Sequence, residues 1–165
     1  MHDPESIITS LANAPAIIVP LVRDVPERFV RVRPYAGKWS AHEHACHLAE
    51  VHPLFFSRLE QMLSEPQARI RPYDPQRDMT SHDALLEVDL DQALARFILD
   101  RNRLVEKLRR LSPDDWERTA LHSEYAHYSI FGMFRHLALH DLLHAYRIEE
   151  LLLKRDWEEA KVDNG

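Results

Sequence analysis

Histidine recurs at every fourth position in one apolar stretch of this chain. The stretch reads H-L-A-L-H-D-L-L-H at residues 136–144, and its leucines have helical spacing. Residues four apart lie on one face of an α-helix, about 40° apart around its axis. Two imidazoles at that spacing can bind one metal ion from a single rigid helix, as the histidines of H-E-x-x-H do. The spacing therefore predicts a metal site.

The two ligands that best fit the helix face are His140 and His144. Both continue the apolar seam that Met133 and Leu137 begin. A buried polar ring must hydrogen-bond or coordinate something, and packing alone gives no reason to place two of them together. His136 has the same spacing to His140 but lies one step off the seam, so it is the rival member of the pair.

A second histidine-rich segment, H-E-H-A-C-H at residues 42–47, offers a third imidazole. Two ligands from one helix and one from a distant helix would leave an open coordination position, the pattern of catalytic rather than structural zinc. His44 and His47 can both face inward, and the spacing does not choose between them. His42 is expected on the opposite, solvated side.

The neighbours of these histidines have ordinary structural interpretations. Cys46 is predicted to be a packed small residue rather than a fourth ligand, since adjacent helical residues point about 100° apart. Glu43 is predicted to complete a capping box, with a supporting role behind His47 as the alternative. Asp141 is expected to face away from the metal in an ionic or capping role. Arg101 is expected on a solvated charged face, with contact to an anionic substrate as the alternative.

The composition restricts the classes of function. The chain has 165 residues, 45% of them hydrophobic and 29% charged, which suits one domain with its own core. A net charge of -6 argues against nucleic acid as a partner. One cysteine excludes an internal disulfide and fits a reducing cytosol. The apolar stretch 16–22 is short and interrupted by Pro20, so no membrane span is expected and a cytoplasmic location is predicted.

Four main helices must position the histidines. Periodicity and capping signals predict them over residues 4–23, 40–63, 81–111 and 129–154, with a short helix after Ser112. Pro15 and Pro20 weaken the second half of the first helix, and Pro53 should kink the second. The segments 25–38, 64–80 and 119–128 are predicted loops or irregular chain, with Tyr73 and Asp74 in a position to line a pocket mouth.

These elements predict an all-α fold, a four-helix bundle in a single domain over residues 1–157, followed by a frayed tail at 158–165. Such bundles build metal sites from side chains on facing helices.

Two motifs of the chain resemble those of a known family. The segment W-S-A-H-E-H-A-C-H-L at 39–48 is similar to the W-S-x-x-E-x-x-x-H-L segment of the DinB/YfiT-like superfamily, and H-L-A-L-H-D-L-L-H is similar to its closing H-L-x-x-H-[DE]-x-x-H motif. The resemblance implies a bundle that binds one divalent metal through three histidines, which by motif position are His47, His140 and His144. Arg147 stands where the family often has glutamine, so the resemblance says little about the substrate.

The resulting hypothesis is a metal-dependent enzyme, a thiol-dependent transferase or a hydrolase, acting on a small molecule. Zn²⁺ is the first choice of metal, with Ni²⁺, Fe²⁺ and Mn²⁺ as alternatives, since imidazole ligands suit them all. A low-molecular-weight thiol is a second cofactor that the resemblance suggests, and a homodimer is expected. The alternative is a non-catalytic metal-binding or stress-response bundle, in which His44 or His136 would fill the remaining coordination position.

Overall fold

The secondary structure is mainly helical, as seen in a computed structural model that describes residues 3–74 and 82–153. The helices are α1 (Pro4–Asp24), α2 (Glu27–Val30), α3 (Ala41–Glu50), α4 (His52–Ser64), α5 (His82–Glu87), α6 (Leu90–Arg109), α7 (Pro113–Glu117) and α8 (Ile130–Leu153). The strands are β1 (Arg69–Ile70), β2 (Thr119–His122) and β3 (Tyr128–Ser129).

Four of the helices form the predicted bundle. α1 and α3 each pack against both α6 and α8, and they also contact each other. A small sheet lies beside it, in which β2 pairs parallel with β1 and antiparallel with β3. These strands were not predicted, because elements of two to four residues are too short to show an alternating pattern. The predicted frayed tail, residues 75–80 of the predicted long loop and residue 81, the predicted start of the third helix, lie outside the described residues.

Two of the predicted helices are interrupted. The predicted helix 40–63 is divided into α3 and α4 at Val51, with Pro53 in the first turn of α4, so the predicted effect of that proline is confirmed. The predicted helix 81–111 breaks before α6, where the Asp89 carboxylate accepts a hydrogen bond from the backbone N–H of Gln92 at 2.8 Å. That N-cap was missed because the apolar spacing continues across it.

Helix α1 continues through both of its prolines, so the doubt about its second half was wrong. Proline has no N–H to donate four residues back, and Pro15 therefore leaves the carbonyl of Leu11 without its helical donor. The Nη1 atom of Arg101 donates to that carbonyl at 3.2 Å. By length and composition α1 could cross a membrane, whereas the apolar stretch 16–22 considered in the sequence was too short. The buried side chains of α1 pack in the bundle core.

The core consists of two apolar clusters with a layer of buried polar side chains between them. Along α6, Arg101 lies between Phe97 of one cluster and Leu104 of the other. Along α8, Asp141 similarly lies between the clusters. The members of this polar layer are His44, His47, His52, Arg101, Asp141 and His144. The candidate ligands therefore lie at mid-height in the bundle.

Candidate metal site and adjoining pocket

The start of α3 is held by the predicted capping box. The Ser40 hydroxyl accepts from the backbone N–H of Glu43 at 3.2 Å, and the Glu43 carboxylate accepts from the backbone N–H of Ser40 at 2.9 Å. Arg33 donates three further bonds to the same carboxylate, two from Nε and one from Nη2. Burial alone would raise the pKa of Glu43, but the bonds from Arg33 and Ser40 lower it overall. Glu43 is thus a structural anion that fixes the first turn of α3.

Three histidines from α3 and α8 converge with their Nε2 atoms. The Nε2 atom of His140 lies 3.1 Å from that of His47 and 3.1 Å from that of His144. One ligand atom from each of the three residues lies within 4.8 Å of the others. Nitrogens bound at about 2.0–2.1 Å to one ion lie about 2.9–3.4 Å apart at octahedral to tetrahedral angles. The two separations from His140 therefore fit a single divalent ion.

The protonation state of these rings also suits metal binding. Burial, followed by repulsion from His136, lowers the pKa of His140 to about 4. Burial and the neighbouring histidines lower the pKa of His144 well below its usual range. A metal-ligating imidazole must be neutral, and these two are neutral near pH 7 without any competition from a proton.

His44 lies behind the three converging rings rather than among them. Its Nδ1 atom lies 2.7 Å from Nδ1 of His144, on the side of that ring away from Nε2. Burial, and then repulsion from His47, lowers the pKa of His44 to about 4. His44 is therefore placed to orient His144. The helical spacing did not choose between His44 and His47, and in the structure it is His47 that converges with His140 and His144.

The structure also places His42 and His136, the first of them differently from the expectation. His42 was expected in solvent but is completely buried, with Nε2 3.1 Å from the carbonyl oxygen of Leu85 on α5. His136 is exposed and lines the pocket described below. Within residues 3–74 and 82–153, neither His136 nor His44 belongs to the group of close ligand atoms. The non-catalytic alternative required one of these two histidines to fill the remaining coordination position, and that arrangement is not observed.

The predicted solvated position of Arg101 was wrong. Its side chain is completely buried, and both of its terminal nitrogens donate to the Asp141 carboxylate, with Nη2 to Oδ1 at 3.1 Å. Nε donates to Nε2 of His52 at 3.1 Å. Asp141 has the expected ionic role, and it directly follows His140 on α8. The ion pair thereby fixes the helix that carries two of the three converging rings.

The remaining neighbours of the site behave as packing residues. Cys46 is buried as predicted, and burial raises the pKa of its thiol to about 12. The Trp39 ring packs at the head of α3, with its centroid 4.9 Å from that of His47 and 5.8 Å from that of His144. Trp39 and His44 also border a second cavity of about 600 Å³, which Arg147 lines.

A cavity of about 450 Å³ reaches the converging histidines. Its walls come from α4, α8 and the hairpin of β2 and β3, and His47 and His140 both line it. Tyr73 lines it as expected, whereas the neighbouring Asp74 is not among its described lining residues. Arg58 of α4 lines it without having been predicted, and so do His122 and Tyr128, whose hairpin was not recognised in the sequence. A small molecule in this cavity can approach the histidine cluster directly.

The chain was compared with known families, curated proteins and solved structures. The family model described as the DinB superfamily matches residues 10–148, so the chain belongs to that superfamily. A protein of Oceanobacillus iheyensis named "Putative metal-dependent hydrolase OB0782" is 27% identical over 150 residues, covering 91% of this chain and 86% of that protein. A "Putative metal-dependent hydrolase" of Bacillus cereus is 21% identical over the same shares of both chains.

Among solved structures, YfiT from Bacillus subtilis has the same fold. It is described as "a probable metal-dependent hydrolase with an unusual four-helix bundle topology". The TM-score is 0.79 at 23% sequence identity, with 90% of this chain and 85% of that chain covered. The predicted family and the all-α bundle are thus confirmed.

Proposed function

We propose that this member of the DinB superfamily is a metal-dependent hydrolase of a small organic molecule, with His47, His140 and His144 as the metal ligands. The observation that carries the proposal is the convergence of three Nε2 atoms beside a cavity of about 450 Å³, which His47 and His140 line. The names of the curated relatives support hydrolysis as the reaction.

The ligand set suits that chemistry. Three neutral imidazoles leave the charge of a bound cation uncompensated, and a divalent cation held there would supply Lewis-acid chemistry for the attack of water on a polarised carbonyl. The two helices supply rigidity: the capping box fixes α3, and the Arg101–Asp141 ion pair fixes α8. Apolar side chains in the cavity wall offer a surface on which the body of a substrate can pack beside the histidines.

The first test is the metal content of tag-free protein by elemental analysis. We expect about one equivalent of a transition metal per chain, and its loss in the double variant His140→Ala/His144→Ala. His136→Ala is the matched control, since it removes an imidazole from the same helix outside the converging set. Protein that contains no metal and takes up no zinc would contradict the proposal.

A second test separates the candidate reactions. We expect metal-loaded protein to hydrolyse a simple activated ester or amide without any added thiol. Turnover that begins only when a low-molecular-weight thiol is supplied would instead show thiol transfer, the other reaction that the family resemblance suggests. Metal binding without turnover under either condition would favour the non-catalytic bundle. The choice of Zn²⁺, the homodimer and the cytoplasmic location stay predictions.

A further inference from the structure

The cavity beside the histidines carries more positive than negative charge, although the chain as a whole has a net charge of -6. Among the described residues its lining includes the guanidinium groups of Arg58 and Arg135, against the single carboxylate of Glu124. This balance inside an acidic protein favours an anionic ligand, because the local potential and not the net charge governs what enters a cleft.

Arg58 is the cation whose orientation is fixed. It lies half-buried on α4, where Nη1 donates to the Tyr128 hydroxyl at 3.1 Å and Nη2 donates to the carbonyl of Arg71 at 2.9 Å. Both of these acceptors are uncharged, so neither neutralises the guanidinium. A guanidinium has five N–H donors in a planar fork, and that fork matches the two oxygens of a carboxylate. Arg58 is thus preorganised for an oxyanion at the cavity wall.

The rest of the cavity suits an apolar or aromatic body. Leu54, Phe55, Met133 and Leu139 line it. The hairpin adds a stacked pair, with the ring centroids of His122 and Tyr128 4.8 Å apart. A cavity of about 450 Å³ is within the range of about 300–1,000 Å³ that holds small organic ligands.

We infer that the substrate is a small organic acid, whose carboxylate or other oxyanion binds Arg58 while its apolar body lies along α4 and α8. The inference rests on the proposed function for the position of the reaction, which would take place at the end of the molecule near His47 and His140. It assigns to Arg58 the role of a specificity residue that holds the far end of the substrate.

The test is a binding measurement with matched probes, independent of turnover. Isothermal titration calorimetry would compare 3-phenylpropanoate with its neutral analogue 3-phenylpropanamide, in metal-loaded protein and in protein stripped by a chelator. We expect the acid to bind about ten- to hundredfold more tightly than the amide, as for a hydrogen-bonded charged group. Phenyl phosphate provides a second arm, which shows whether the site prefers a phosphate to a carboxylate.

The variant Arg58→Gln should abolish the preference for the acid while leaving the metal content unchanged. Arg147→Gln is the matched control, because it removes the same charge near the second cavity and should keep the preference. Arg58→Lys keeps the charge but not the fork, and about a three- to tenfold loss is expected there. If Arg58→Gln fails to fold, Arg58→Lys still tests the role of Arg58.

Two results would overturn the inference. One is equal binding of the acid and the amide to wild-type protein. The other is a preference that survives in the Arg58 variants but disappears when the metal is stripped, since the carboxylate would then bind the metal itself. In both cases the metal content still reports separately on the proposed function, so the failures of the two proposals are distinguishable.

Discussion

The change Asp141→Asn should destabilise the protein more than its chemical similarity suggests. Asp141 has only 2% of its side chain exposed and accepts from both terminal nitrogens of the fully buried Arg101. Asparagine removes the charge and turns an N–H donor toward the guanidinium, which stays charged at every accessible pH. Breaking a buried ion pair from one side costs about 3–5 kcal/mol, out of a total unfolding free energy of about 5–15 kcal/mol.

Urea unfolding followed by circular dichroism at pH 7, with chelator present so that metal binding does not contribute, measures the loss. For a domain of this size the expected loss corresponds to a melting temperature lower by about 6–20 °C. Asp100→Asn is the control, since Asp100 pairs with Arg103 at 3.6 Å and the Arg103 side chain is 65% exposed. That variant should lose less than about 1 kcal/mol.

A double-mutant cycle decides whether the ion pair itself is responsible. Removing both charges in Arg101→Met/Asp141→Leu should cost clearly less than the sum of the two single changes, because no buried charge is left unpaired. A loss below about 1 kcal/mol for Asp141→Asn, or full additivity in the cycle, would refute the reasoning.

In a Pro15→Ala background, the restored N–H can donate to the carbonyl of Leu11, and Arg101→Met should then cost about 1 kcal/mol less.

Three further predictions concern the histidines and the cysteine. His44→Phe should weaken metal binding about ten- to hundredfold in a chelator competition, because it removes the hydrogen-bond partner of His144, whereas equal weakening in the control His136→Gln would argue against that role. Burial, followed by repulsion from Arg101, lowers the pKa of His52 to about 3. The unfolded chain takes up a proton on His52 near pH 6.5, whereas the folded chain does not, so folding is less favourable at low pH. Between pH 7 and 5 the metal-free wild-type protein should therefore lose about 2 kcal/mol more unfolding free energy than the His52→Gln variant. Urea unfolding measures both losses, and equal losses would contradict the assignment. Cys46 should resist iodoacetamide in the native protein and react only on unfolding, as mass spectrometry would show, so rapid native labelling would contradict its burial.

The parts of the fold that were predictable have local causes. The capping box at Ser40 and Glu43, the short helix after Ser112 and the break near Pro53 each follow from residues a few positions apart. His140 and His144 were predicted from their spacing, since a pair four residues apart must share a helix face, whereas His47 was predicted from the family resemblance. In these cases the sequence states the geometry directly.

The parts that were missed depend on packing between distant segments. A helix with one core face would expose His42, but α3 is surrounded so completely that nine of its ten residues are buried. Arg101 finds its partner forty positions away, and no local pattern marks that pairing. The hairpin strands are too short for periodicity, and so the wall of the cavity that contains Tyr128 was not foreseen.

The single ion pair in the polar layer also determines how the helices align along the bundle axis. If α6 slid past α8 by one helical turn, about 5.4 Å, the guanidinium of Arg101 would lie among apolar side chains and leave Asp141 behind. Apolar contacts alone tolerate such a shift far better, because one leucine can replace another. The charge pair thus fixes the height of α6 against α8, the helix that carries His140 and His144. The bond from Arg101 to His52 connects the same layer to α4, which directly follows the helix that carries His47. Grafting the three histidines onto another bundle would therefore also require a buried ion pair that fixes the relative heights of its helices.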